Sequence, residues 1–82
     1  MTREEVLSKL KDIIKPFIGD EVNFDDLQEE SDLINDLKIN SAHVVDIVLE
    51  IETEFDIVID DDSINDMNTI GSSIDVIMKM MP

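Results

Sequence analysis

The chain contains no cysteine, so neither a disulfide nor a thiolate metal site can help to hold so short a sequence together. Only two glycines are present, which leaves no glycine-rich loop to cradle a phosphate. Cations are scarce as well. Six Lys and Arg face 21 Asp and Glu, a formal net charge of −15, and ten acids but no Lys or Arg lie between Lys38 and Lys79. Such a field repels nucleic acid and anionic membrane surfaces, while it speeds encounter with basic protein patches. The partners expected are therefore proteins with basic docking patches. No apolar run is long enough to span a bilayer and nothing resembles a signal peptide, so the expectation is a cytoplasmic monomer without membrane insertion.

What the chain does have is hydrophobic content of 43% at helical spacing, which argues against an acidic disordered polymer. Its 82 residues suffice for one domain with a limited core, taken as 1–82. Thr2-Arg3-Glu4-Glu5 has the spacing of a capping box and opens a first helix over about 3–18, with Val6, Leu7, Leu10, Ile13, Ile14 and Phe17 on its apolar face and Pro16 and Gly19 at its end. A long connection over about 19–40 follows, anchored by Val22, Phe24, Leu27, Leu33, Ile34 and Leu37. A second helix is predicted over about 41–55, a short third over about 61–67 with Ile64 and Met67 inward, and a fourth over about 69–80 with Ile70, Ile74, Ile77 and Met78 inward and a frayed end at Met80 and Met81. The β-branched run Asp56-Ile57-Val58-Ile59 has no strand partner and reads as an extended connector. The fold class is all-α, a small bundle of three longer helices and one short one.

The second helix has two apolar faces. Val44, Ile47, Val48, Ile51 and Phe55 share the broad arc that a helix buries, whereas Ala42, Val45 and Leu49 form a narrower strip beside Asp46, Glu52 and Thr53. A helix that only closed a core would not need that strip. Asn40-Ser41 precedes the periodic run, and two roles stay open for Ser41: a helix cap, or a point of covalent attachment at the positive end of the helix dipole. Intrinsic catalysis is hard to build. Ser41, His43 and Asp46 resemble a triad in composition, but residues two apart on a helix point to nearly opposite sides. The acids at 25, 26, 29, 30 and 32 lack the ligand register of a calcium loop, and no metal site is expected there or at Asp60-Asp61-Asp62.

The runs Leu33-Ile34-Asn35-Asp36-Leu37, Glu50-Ile51-Glu52-Thr53-Glu54-Phe55, Ile59-Asp60-Asp61-Asp62 and Thr69-Ile70-Gly71-Ser72-Ser73-Ile74-Asp75-Val76-Ile77 give almost the whole chain a pattern that resembles the acyl carrier protein family. In that family an Asp-Ser-Leu motif opens the second helix and its serine carries a phosphopantetheine arm. Here Asn40 stands in place of Asp, Ala42 in place of Leu, and Lys38 lies in a turn where bacterial members usually have Gly. The resemblance implies a non-catalytic carrier. A phosphopantetheinyl transferase would move the arm from coenzyme A to Ser41, and acyl intermediates would ride on it as thioesters in fatty-acid-like or specialised polyketide or lipid biosynthesis by separate enzymes. It further implies partner docking through Asp36, Asn40, Ala42, Val45, Asp46, Leu49 and Glu52, and an acyl cleft between the second and third helices lined by Val45, Leu49, Ile57, Ile59 and Ile64. A peptidyl or aminoacyl carrier and an unmodified acidic interaction module are the alternatives on the same fold.

Overall fold

A computed structural model describes residues 2–18, 22 and 26–81. Among them four α-helices follow one another, α1 (Arg3–Ile14), α2 (Val44–Phe55), α3 (Asp61–Asn65) and α4 (Ile70–Met80), with short 3-10 turns at Lys15–Phe17 and Ser41–His43. Among the described residues there is no strand, only an isolated bridge between Asp32 and Thr69.

Three of the four helices, α1, α3 and α4, begin where a side chain satisfies free backbone N–H groups. Thr2 and Glu5 form the capping box of α1, Asp60 accepts the Ser63 N–H at 2.7 Å to start α3, and Thr69 with Ser72 forms a second box at α4. The first helix is α-helical only to Ile14, and Pro16 falls within the tighter turn that follows. Gly19 and Phe24, assigned a stop and an anchor by sequence, lie outside the described residues.

The core is one cluster. Val6, Leu10 and Ile14 of α1 meet Ile47, Val48, Ile51 and Phe55 of α2 and Ile70, Ile74, Val76 and Ile77 of α4. The long connection contributes Leu33, Leu37 and Ile39, which are buried, and Leu27 packs partly against the cluster. Three assignments need correction. Ile34 is 47% exposed and does not anchor the connection; Met78 faces outward while Val76 turns in; and Met80 and Met81 pack partly against the core instead of fraying. In the last helix the apolar arc is wide enough that periodicity alone did not decide which edge residue is buried.

The connection is strapped to the start of α4. Leu33 N–H donates to the Asn68 carbonyl at 3.0 Å, Ile70 N–H to Ser31 at 3.1 Å and Gly71 N–H to Glu29 at 2.7 Å. A side chain at Gly71 would press on the Glu29 backbone at 3.1 Å, so this close approach uses the missing Cβ. Arg3 reinforces the seam from α1, reaching Asp75 at 2.7 Å as well as Glu29. The strap sets residues 32–35 along the cleft that Ser41 and Val44 also line.

Candidate functional site

Asn40, and not Ser41, caps the second helical segment. Its Oδ1 accepts the Ala42 N–H at 2.9 Å, and its carbonyl accepts the His43 N–H at 2.8 Å. Ser41 is therefore the first residue inside the 3-10 turn, exposed, and its hydroxyl makes no hydrogen bond among the described residues. A serine that has been relieved of capping is available for chemistry.

Ser41 borders an open cleft of about 430 Å³ between the long connection, α2 and α3. Leu33, Ile34, Val44, Ile64 and Met67 supply its apolar lining. Its polar lining comes from Asp32 and from three asparagines, Asn35, Asn65 and Asn68. Asp32 is already engaged: its Oδ1 accepts the N–H groups of Asn35 (2.8 Å) and Ile34 (2.9 Å), which hold its carboxyl below the ordinary aspartate range. From Leu37 to Val45 the sequence has no acid, and Lys38 and His43 flank the serine. The His43 ring packs at 5.6 Å from the ring of Phe17 beyond α1.

The residues expected to dock partners separate into two groups. Ala42, Val45, Asp46 and Leu49 lie exposed along the outer face, with Val45 59% and Leu49 56% accessible. Asp36, Asn40 and Glu52 are engaged within the chain. Asp36 Oδ2 accepts the Asp32 N–H at 2.8 Å, Asn40 caps, and Glu52 Oε2 accepts the Ile59 N–H at 2.8 Å. The five residues expected to line an acyl cleft are not brought together. Val45 and Leu49 face outward because they lie off the buried arc of α2, Ile57 and Ile59 are buried in the core, and Ile64 alone of the five borders the cavity beside Ser41. The asparagines of that cavity escaped sequence reading, since isolated exposed amides carry no periodic signal. Among the described residues no group of three His, Asp or Glu side chains is arranged to hold a metal, and no helix is long and apolar enough to cross a membrane.

Comparison with known proteins bears directly on this geometry. No protein-family model matches the chain. A curated protein of Thermotoga maritima, described as acyl carrier protein, is 36% identical over 80 residues, which is 98% of this chain and 96% of the relative. This chain belongs to the acyl carrier protein family. Another acyl carrier protein, from Chlorobium phaeovibrioides, is 37% identical over 79 residues, covering 96% of this chain and 99% of its own length. A solved structure of the acyl carrier protein from Enterococcus faecalis shares the fold at a TM-score of 0.79 and 34% identity, covering 98% and 99% of the two chains. The acyl carrier protein fold thus puts an unencumbered serine, Ser41, at the mouth of a cleft here.

Proposed function

We propose that this acyl carrier protein bears phosphopantetheine on Ser41 and presents acyl groups to separate biosynthetic enzymes. The observation that carries the reading is the division of labour at the start of α2: Asn40 takes the cap, leaving the Ser41 hydroxyl exposed and unbonded among the described residues. Ser41 Oγ would bond to the arm's phosphorus and give up its proton, while adenosine bisphosphate departs from coenzyme A. When bound, the arm supplies a terminal thiol that can hold an acyl group, chemistry that a chain without cysteine lacks.

The surroundings fit such a group. The positive end of the helix dipole favours an anion beside Ser41, and one carboxylate oxygen of each of Asp36 and Asp32 is turned to backbone N–H groups. Val45 and Leu49 offer an apolar contact one helical turn apart, bordered by Asp46, which suits a partner enzyme with apolar and basic groups on its contact face. A phosphopantetheinyl transferase is the first such partner. The chain itself acts as a carrier and not as a catalyst.

Intact-mass measurement after incubation with coenzyme A and a broad-specificity phosphopantetheinyl transferase tests the reading. One arm-sized gain is expected, and none for Ser41→Ala. No gain with that enzyme or with transferases from the source organism, on a folded sample, would replace the carrier by an unmodified interaction module.

A further inference from the structure

Between α1 and α2 lies a groove that shares no lining residue with the cleft beside Ser41. Two open cavities of about 410 and 390 Å³ join in it, since Phe17 and Glu50 line both. Two contacts fix its direction. Lys9 Nζ donates to Glu54 Oε1 at 2.9 Å, and the Phe17 ring lies 5.6 Å from that of His43, so the two walls run antiparallel. From Asp46 to Glu54 the groove follows about 12 Å of α2. Ile13 and Phe17, half-buried, and the exposed Pro16 and Leu49 supply its apolar surface. Acids stand on both walls, Asp12 on one and Asp46 and Glu50 on the other, all exposed and without an ion pair among the described residues. The one cation among the described lining residues, Lys9, is already held by Glu54.

We propose that this groove receives a basic amphipathic helix of a partner protein. Its apolar stripe would lie on Ile13, Phe17 and Leu49, with Lys or Arg on one flank facing Asp12 and on the other facing Asp46 and Glu50. The inference carries contact from the exposed strip of α2 across to α1, and it does not depend on attachment at Ser41. Three physical points favour this occupant. The furrow between two antiparallel helices takes the side chains of a third helix lengthwise. Unpaired carboxylates on both walls offer opposite charge to both flanks of a basic helix, repel an acidic one, and lose water without compensation under a neutral one. Ile13 and Phe17 are only half-buried in the free chain, so a seated apolar stripe removes their remaining surface, and that of Leu49, from water, a gain that bulk charge alone does not give. The Lys9–Glu54 pair marks one end of the groove and the Phe17–His43 contact the other, which leads the seated helix toward the turn that carries Ser41.

The probe is a synthetic helical peptide of about 12 residues with a Leu stripe at helical spacing and Lys on both flanks. Its binding to the full chain is measured by fluorescence anisotropy and by amide chemical shifts at about 0.1 M salt. Two further peptides serve for comparison, one with the same residues in an order that breaks the stripe and one with Gln in place of Lys. The basic amphipathic peptide is expected to bind about fivefold tighter than either, with shifts concentrated at residues 9–17 and 46–54. Leu49→Ser should weaken it about fivefold and Asp12→Asn/Glu50→Gln about threefold, and since all three side chains are exposed, parent-like circular dichroism would verify the fold. Glu30→Gln/Asp66→Asn removes the same charge at exposed positions outside the groove and should change binding less than about 1.5-fold. A comparison peptide that binds as tightly, equal losses in the two charge variants, shifts gathered at Ile64 and Met67, or no binding at all would overturn the groove as a docking site. The same measurements on Ser41→Ala should match the parent. A chain that gains no arm therefore leaves this result standing, and a chain that gains its arm but fails here loses only the groove.

Discussion

Lys38 holds a left-handed backbone, φ 59°, three residues before the serine, and its side chain is exposed. That conformation costs an L-residue about 1–2 kcal/mol, part of which glycine would return to the unfolded state as entropy. Lys38→Gly should therefore stabilise the fold by about 0.5–1 kcal/mol, read as a higher urea midpoint with an unchanged slope. Glu52 works in the opposite sense. Its backbone carbonyl accepts the N–H groups of Asp56 and Ile57, and its side chain accepts that of Ile59, so one residue gathers the whole turn after α2. Glu52→Ala strips a partly buried N–H of its charged acceptor and should cost about 1–3 kcal/mol, with faster hydrogen exchange at Ile59. Glu52→Gln keeps an acceptor and should lose less than half as much. A surface acid that served docking alone would show no such ordering, which separates the two roles that the sequence left combined in Glu52.

Helices were legible because periodicity, caps and hydrophobic arcs are local. The two faces of α2 and the capping box at Thr2 follow from residues a few positions apart. The strap of residues 29–33 onto 68–71 was not legible, nor was the burial of Ile39, because both depend on pairing across the bundle. The same applies to the site. Ser41 could be singled out, but its release from capping by Asn40 and the asparagines of its cleft depend on side-chain choices that spacing does not encode. Caps give the element-scale predictions. Thr69→Ala removes the oxygen that accepts the Ser72 N–H at 3.1 Å and should cost about 1 kcal/mol, lowering the melting temperature. Asp60 and Asp32 hold depressed carboxyls, Asp60 through the Ser63 N–H first and then its hydroxyl, Asp32 through the Asn35 and Ile34 N–H groups. A lowered folded value means stability that is present in full above the ordinary aspartate range and is lost as pH falls through the folded value. Asp60→Asn and Asp32→Asn should therefore flatten the fall of stability with acidification below that range, measured as a smaller difference in melting temperature between neutral and acidic buffer than in the parent chain.

At the scale of the molecule, charge sets the terms. The 21 acids outnumber the six Lys and Arg and cannot all pair off, and the ion pairs of Arg3 with Glu29 and Asp75 and of Lys9 with Glu54 lie at exposed positions. Exposed pairs of this kind contribute at most about 1 kcal/mol each, and salt weakens them. Salt also screens the mutual repulsion of the uncompensated acids, and that term involves many more charges. The two effects of salt oppose one another, and the larger number of repelling acids decides the sign: raising sodium chloride from about 0.01 M to about 0.5 M, where the Debye length falls from about 30 Å to only a few Å, should raise the melting temperature. The same change should slow arm transfer by a transferase with a basic contact face, because steering between opposite charges is screened over the same range. A carrier stabilised by salt yet modified more slowly in it would show that one acidic surface serves recognition at the expense of the fold. Asp46→Lys separates the two functions: it places a cation at the first turn of the exposed face, should leave the salt-dependent gain in melting temperature nearly intact, and should remove a measurable part of the salt dependence of the transfer rate.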